Sequence, residues 1–340
     1  MTPPDPADRG RGVRAEALAA IAHALHEHQT FLLATHEHAD GDGLGSLLAL
    51  HLGLSARGKR SVALIPDALP ARYEFLPGSD LVHTGPPAGD EASAEVAVVL
   101  DCDSLSRVAG LRDAVAACPL VINLDHHTND EPFGDLLLVD PAAAAVGELL
   151  YELFTVADWP LDSAIATCLY CAVGTDTGFF RFGNTSPAAL RVAAALVEAG
   201  ADPRDIAERA GTRRSLPAAR LLGRALASVQ TAVEGRIVAA VLTQSDFAAA
   251  GAAAPDTEGI IDQLKVIEAA RAALLMREEA PAQWRVSLRA ETAGDMAAVA
   301  RRFGGGGHRA AAGCTIEGDR DQVYAALLAA LEPALTGRGR

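Results

Sequence analysis

Short apolar runs alternate with longer stretches of helical spacing through the first half of the chain. Phe31-Leu-Leu-Ala-Thr-His36, Val96-Ala-Val-Val-Leu-Asp101 and Leu120-Val-Ile-Asn-Leu-Asp125 read as strands, and Ser61-Val-Ala-Leu-Ile-Pro66 as a shorter one. Helices are predicted over 14–27, from Gly45 onward, over 141–154 and over 161–173, from apolar spacing and alanine content. Strand, helix and strand in alternation predict an α/β chain whose N-terminal domain is a doubly wound parallel sheet. Residues 1 to about 13, rich in Pro, Asp and Gly, are predicted to be disordered.

From Ser186 to about Ser228 the chain is predicted to be helical, broken at Gly200-Ala-Asp-Pro203, and reads as a connector. A second, smaller α/β unit follows. Its predicted strands are 236–243, Trp284–Arg289 and 314–317, with helices over 257–271 and from about 320. The boundaries are therefore 14–185 for the first domain, 186–228 for the helical linker and 229–338 for the second domain. A length of 340 residues agrees with two domains.

A net charge of −15 argues against a binder of long nucleic acid, which needs a basic face. It leaves room for a short nucleotide substrate, and bound divalent cations would offset part of the excess. The five cysteines, Cys102, Cys118, Cys168, Cys171 and Cys314, have no framework spacing, which fits a reducing cytosol. Cys168-Leu-Tyr-Cys171 reads as two core thiols on a helix. The start of the chain lacks the pattern of a signal peptide, and no run reaches the ~18 apolar residues of a membrane helix. A cytoplasmic protein with no membrane partner is the expectation.

All three long apolar runs end on metal-type ligands, and in an open parallel sheet ligands gather at the carboxyl ends of the strands. The first continues as His36-Glu-His-Ala-Asp40-Gly-Asp42, which offers one imidazole and two carboxylates, or else is a solvated acidic loop. Glu37 and His38 read as exposed. Asp101 closes an apolar strand, where a carboxylate is costly unless paired or coordinated; capping a helix is the alternative, and Asp103 is another candidate for that cap. At Asp125-His126-His127 one ring can bind metal while the other faces substrate, with Asp125 orienting an imidazole. Asp176 sits within Gly174-Thr-Asp-Thr-Gly178, which reads as a tight, ligand-facing loop. Gly304, Gly305, Gly306 and Gly307 offer backbone amides that cradle a phosphate, with His308 adding a contact, or form a flexible turn. Arg289, outward on the preceding strand, is a fork for phosphate or carboxylate.

In this order and spacing the motifs resemble the DHH/DHHA1 phosphoesterase superfamily. They are HxxxDGDxxGS (His36 to Ser46), Asp101, the DHH at 125–127, GTDTG at 174–178, VSLR at 286–289 and GGGGHxxAAG at 304–313. The resemblance covers about residues 28–330 and is strongest to the stand-alone bacterial nanoRNase/pAp phosphatase group. The chain departs from the family pattern at His38-Ala39, where Asn-Pro or a similar pair is usual, and at Gly43. The resemblance implies an N-terminal DHH domain and a C-terminal DHHA1 domain. It implies two divalent cations, Mn²⁺ first and Mg²⁺ or Co²⁺ as alternatives. His36, Asp40 and Asp101 would hold one, and Asp42, Asp101, His126 and Asp176 the other. His127 would contact the scissile phosphate. Arg289, His308 and the glycine run would bind the remainder of the substrate.

The implied activity is hydrolysis of very short oligoribonucleotides to mononucleotides and of 3′-phosphoadenosine 5′-phosphate to AMP. A homodimer is a further implication. Competing readings are a cyclic-dinucleotide phosphodiesterase, a RecJ-like single-strand exonuclease and a non-catalytic nucleotide-binding protein. A family II pyrophosphatase shares the first set of ligands, but the GGGGH segment argues against it.

Overall fold

The computed structural model describes residues 6–87, 93–128, 132–290, 294–307 and 309–336. The chain divides after Arg213 into two compact units. In the first, the strands are β1 (Thr30–Ala34), β2 (Arg60–Ile65), β3 (Val82–Thr84), β4 (Val96–Leu100), β5 (Leu120–Asp125) and β6 (Leu136–Val139). The helices are α1 (Pro6–Glu27), α2 (Gly41–Ser55), α3 (Arg112–Ala116), α4 (Val146–Val156), α5 (Ser163–Asp176), α6 (Pro187–Glu198) and α7 (Pro203–Ile206). The second unit holds α8 (Leu216–Ala227), β7 (Gln230–Ala232), β8 (Ile237–Leu242), α9 (Gln244–Ala250) and α10 (Ile260–Lys265). It continues with β9 (Ala272–Ala280), β10 (Gln283–Ala290), α11 (Met296–Arg301), β11 (Gly306–Gly307), β12 (Ala311–Glu317) and α12 (Arg320–Thr336). The helical stretch 186–228 is shared between the units, α6 and α7 going to the first and α8 to the second.

The first sheet runs β3-β2-β1-β4-β5-β6, with every pair parallel. Parallel strands covered on both faces need apolar side chains on both, and β4 (Val-Ala-Val-Val-Leu) is buried at every residue. Leu33 and Val98 point into a core shared with α1, α2, α4 and α5, while Leu32 and Val99 point into a smaller core under Val108, Leu111 and Val115. The second sheet runs β11-β12-β10-β9-β8-β7 and is mixed, with only β8 and β9 parallel. β10 alternates cleanly: Trp284, Val286, Leu288 and Ala290 are buried, and Arg285, Ser287 and Arg289 face the other way.

Several boundaries differ from the sequence reading. The backbone is helical from Pro6, so α1 takes in most of the stretch expected to be disordered. α4 begins at Val146 rather than 141. The expected helix over 257–271 is a six-residue helix followed by β9, a strand the sequence conceals. Ala-Ala-Leu-Leu-Met-Arg-Glu-Glu-Ala is rich in helix formers, and two strand neighbours override that preference. The five cysteines are buried and free, with Cys168 and Cys171 both on α5 as expected. Among the described residues no helix is long and apolar enough to cross a membrane.

Helices α2, α4 and α5 meet through glycine. A Cβ on Gly45 would lie 2.4 Å from the Cys168 carbonyl oxygen, and one on Gly147 would lie 2.6 Å from the Ala172 Cβ. Overpacking of this kind costs about 1–3 kcal/mol. Gly45→Ala is therefore expected to lower the thermal midpoint by that amount of stability. Gly223→Ala, on an exposed face of α8 with nothing within 4 Å of the new Cβ, should raise stability by up to about 1 kcal/mol. Thermal unfolding of the two variants checks both signs.

Candidate metal centre

β1 is the first strand of the sheet in sequence and lies third in spatial order, between β2 and β4. The order of connection reverses there, and a doubly wound sheet opens a crevice at the carboxyl ends of the strands at such a point. His36 follows β1, Asp101 follows β4, and Asp125-His126-His127 closes β5, so the three strand-end motifs lie along one edge.

α2 starts at Gly41, four residues earlier than expected, because Asp40 caps it. Asp40 Oδ1 accepts from the amides of Asp42 (3.0 Å) and Gly43 (3.1 Å). Asp42 is thus on the first turn of a helix, fully buried. Its carboxylate reaches α4, whose N-cap Ala145 has no side-chain acceptor. Asp42 Oδ2 accepts from Val146 N (2.7 Å) and Oδ1 from Gly147 N (3.0 Å), and Ser46 Oγ also donates to Oδ1 (3.2 Å). Asp176 lies on the last turn of α5, since the helix runs through 174–176 instead of ending in a loop.

Asp101 has φ +59°, a left-handed conformation that Asp and Asn tolerate better than most residues. It is not a helix cap, because Ser104 caps the turn at 105–111. Asp101 Oδ2 is 3.3 Å from His36 Nε2, and Oδ1 is buried with no hydrogen-bond partner. His36 Nε2 is also 3.8 Å from Asp40 Oδ1, while Nδ1 is 2.8 Å from the Glu37 carbonyl oxygen, which turns Nε2 toward the carboxylates. Around His126 Nε2 stand Asp42 Oδ2 at 3.7 Å, Asp101 Oδ1 at 3.6 Å and Asp176 Oδ2 at 3.5 Å. Its other nitrogen faces the Ala143 carbonyl oxygen at 3.4 Å. His127 Nδ1 bonds Asp125 Oδ1 at 2.8 Å, and the same oxygen accepts the amides of His126 and His127.

Ligand atoms of His36, Asp40 and Asp101 lie within 4.8 Å of one another, as do those of Asp42, His126 and Asp176. A third such group joins Asp101, His126 and His127, and the His127 Nδ1 is bonded to Asp125. The separations around His126 are too long for hydrogen bonds. Ligands about 2.0–2.2 Å from a common ion stand roughly 3.0–3.5 Å apart, close to what is found here. The donor set of imidazole and carboxylate suits a borderline or hard divalent ion. An orphaned buried oxygen on Asp101 points to the same missing partner.

The electrostatics agree. Burial raises the Asp42 pKa well above normal, and Asp101, Asp176 and Asp40 push it further. Burial lifts Asp176 to about 7 despite His126, with Asp40 and Asp101 adding to the rise. Burial opposes a charged His36, yet Asp101 and Asp40 outweigh it and raise the ring to about 10. Asp125 raises His127 to about 9 against its burial.

Residues that no motif announced complete the site. Arg107 Nη2 is 3.0 Å from His36 Nδ1, and its carbonyl accepts from Glu37 N. Asn184 donates to the carbonyls of Ala144 and Asp176. His38 is 89% exposed and pairs with Asp67 at 2.7 Å, so it stands outside the cluster, and Glu37 is exposed too. In the second unit, Arg289 is part-buried, with Nε 3.8 Å from Asp262 Oδ1. The glycine run differs from the expected cradle. The amides of Gly304 and Gly305 close the end of α11 by bonding the carbonyls of Arg301 and Ala300, while Gly306 and Gly307 pair with β12. A Cβ on Gly305 would lie 2.2 Å from the Gly313 carbonyl oxygen, so glycine is needed there for close approach. His308 lies outside the described residues.

Comparison with known proteins agrees with this layout. The family model for the DHH family, N-terminal domain, matches residues 30–173, and that for the DHHA1 domain matches 234–336. A bifunctional oligoribonuclease and PAP phosphatase from Thermus thermophilus is 34% identical over 315 residues, 90% of each chain. An exopolyphosphatase-related protein from Bacteroides fragilis shares the fold, with a TM-score of 0.88 at 24% identity over 95% of this chain and 98% of that one. The exonuclease RecJ bound to manganese aligns over 96% and 95% of the two chains, with a TM-score of 0.51 at 18% identity. With both domains matched in order and a relative covered almost end to end, the chain belongs to the DHH/DHHA1 phosphoesterase superfamily, as a hydrolase of the group typified by the bifunctional oligoribonuclease and PAP phosphatases.

Proposed function

We propose that the protein hydrolyses very short oligoribonucleotides to mononucleotides, and 3′-phosphoadenosine 5′-phosphate to AMP, in the cytoplasm. The observation that carries this reading is the set of three carboxylates 3.5–3.7 Å from one imidazole nitrogen, with an unpartnered Asp101 oxygen among them. It is joined to the activity for which the Thermus thermophilus relative is named. His36, Asp40 and Asp101 would hold one divalent cation. Asp42, Asp101, His126 and Asp176 would hold a second, and Mn²⁺, the ion in the RecJ neighbour, is the first choice. When bound, such a pair supplies Lewis-acid polarisation of the phosphoryl group and an acidified water.

The side chains supply the rest. His127, held by Asp125, donates a hydrogen bond to a phosphoryl oxygen as negative charge develops on it. Asp125 accepts three hydrogen bonds on one oxygen and so fixes the His127 ring and the main chain of the pair. Ala143 O orients His126, leaving Nε2 toward the carboxylates. Arg289 binds a substrate phosphate away from the scissile bond. A net charge of −15 disfavours long polyanions, in keeping with small substrates.

One plate tests the reading: Mn²⁺ with 5′-phosphorylated RNA 2-, 3- and 24-mers, 3′-phosphoadenosine 5′-phosphate and cyclic di-AMP, each with an EDTA control. EDTA-sensitive release of mononucleotides from the short RNAs is expected; preference for cyclic di-AMP, or no turnover at all, would refute it. Asp101→Asn keeps a residue that tolerates positive φ while removing the charge. It should cut kcat by at least about 100-fold and reduce bound Mn²⁺ measured by elemental analysis, with an unchanged circular dichroism spectrum. Asp125→Asn should lower kcat while Mn²⁺ content holds. Arg289→Ala should raise KM by about tenfold with kcat little changed, since it removes a charged contact made before and during the reaction.

A further inference from the structure

The first unit has a cavity of about 340 Å³ at the amino-terminal ends of its strands, the edge opposite the metal centre. β3 joins β2 only from Ala63 onward, so Arg60, Ser61 and Val62 have no strand beside them on that side, and all three line the cavity. His51 enters from α2 and His83 from β3, and Thr30 and Ser93 complete the polar part of the lining. His51 Nδ1 and Ser61 Oγ are 2.9 Å apart. Burial lowers the His51 pKa, and the charge of His83 lowers it further. The Arg60 side chain is exposed and makes no hydrogen bond or ion pair among the described residues. The chain has 44 Asp and Glu against 29 Lys and Arg, yet among the described residues that line this cavity none is acidic. Glu95 stands next to the lining and is engaged elsewhere. Its Oε2 accepts from the amides of Gln29 and Thr30 and from the Thr30 hydroxyl, and its Oε1 is 3.8 Å from His28 Nδ1. Its charge also acts on Lys59, whose Nζ donates to the carbonyls of His26 and His28.

We propose that this cavity is an anion site, separate from the metal centre, in which Arg60, His51 and His83 take a phosphate dianion, either free or carried by a small organic molecule. Arg60 and one protonated imidazole supply two positive charges, and no lining carboxylate cancels them. Two rings that disfavour each other as cations lose that penalty when an anion stands beside both. With Nδ1 protonated, His51 donates to Ser61 Oγ, which leaves the hydroxyl proton of Ser61 for the anion. A volume of about 340 Å³ exceeds that of a phosphate and lies at the small end of ligand pockets, about 300–1,000 Å³, so an attached group of modest size has room. β1 spans roughly 13 Å from Thr30 to Ala34, and His36 follows its far end. A phosphate in the cavity is therefore out of contact with the metal ligands, and the inference stands apart from the proposed hydrolysis.

Isothermal titration calorimetry of the full-length protein with Mn²⁺ tests it. Sulfate is the probe, because it stays a dianion between pH 6 and pH 8 and any pH dependence then comes from the protein. His51 gains a proton as the anion binds, so affinity should rise as the pH falls, by about fivefold over that range. Arg60→Gln should weaken sulfate binding about tenfold while leaving the thermal midpoint without sulfate, and the hydrolytic rate, as in wild type. His51→Asn keeps an amide beside Ser61 and should flatten the pH dependence. Asp101→Asn, which disables the metal centre, should keep the binding that Arg60→Gln loses. Inorganic phosphate and AMP then separate the two sources of the anion: equal affinities, both lowered by Arg60→Gln, assign the site to free phosphate, and tighter AMP binding with the same loss assigns it to a phosphorylated organic molecule. No sulfate binding to wild type, equal affinity in wild type and Arg60→Gln, or binding lost in Asp101→Asn instead, would overturn the site.

Discussion

The buried carboxylate of Asp42 joins the chemistry of the first unit to its architecture. It sits on the first turn of α2 and satisfies the leading amides of α4, a helix with no capping side chain of its own. Helix amides left unbonded in a core are costly, and a negative charge at a helix N-terminus is favoured. The same oxygen that accepts from Val146 N stands 3.7 Å from His126. One group therefore ties α2, α4 and the end of β5 together. The cost is electrostatic, since Asp101 and Asp176 crowd the same volume with further negative charge. A cation held among them would offset that repulsion, and occupancy of the site would then be coupled to stability of the unit.

The strand ends were legible from sequence because a fully apolar run that stops on Asp or His has few physical explanations. Asp101, Asp125 and His126 follow that logic, and the structure brings them together with His36 and Asp42. Helix limits near the ligands were harder to read. Gly41-Asp-Gly-Leu-Gly45 reads as a loop by composition, yet Asp40 caps it into the start of α2, and Gly174-Thr-Asp176 is carried into α5 in the same way. β9 was hidden because its residues prefer helix and only its neighbours in the sheet make it a strand. The roles of Arg107, Asn184 and the Ala143 carbonyl had no signal to find, since a main-chain oxygen or a lone side chain acquires its part only from tertiary position.

The two units use glycine and charge to different ends. In the first, glycines on α2 and α4 let helices approach α5, and charge is concentrated where the strands end. In the second, the amides of Gly304 and Gly305 close α11, which spends on the fold two amides that the sequence alone offers to a ligand, and Gly306 and Gly307 seat β11 against β12. Arg285 and Arg289 stand along one face of β10 in a chain whose net charge is −15.

Contact between α2 and α5 has a consequence for the spacing of two acids. A Cβ on Gly41 would lie 2.4 Å from Thr175 Oγ1, next to Asp42 on one helix and Asp176 on the other. The main chains that carry those two carboxylates are thus held at the separation that a bare glycine against one threonine side chain allows. A side chain at position 41 would part them while leaving both acids chemically unchanged.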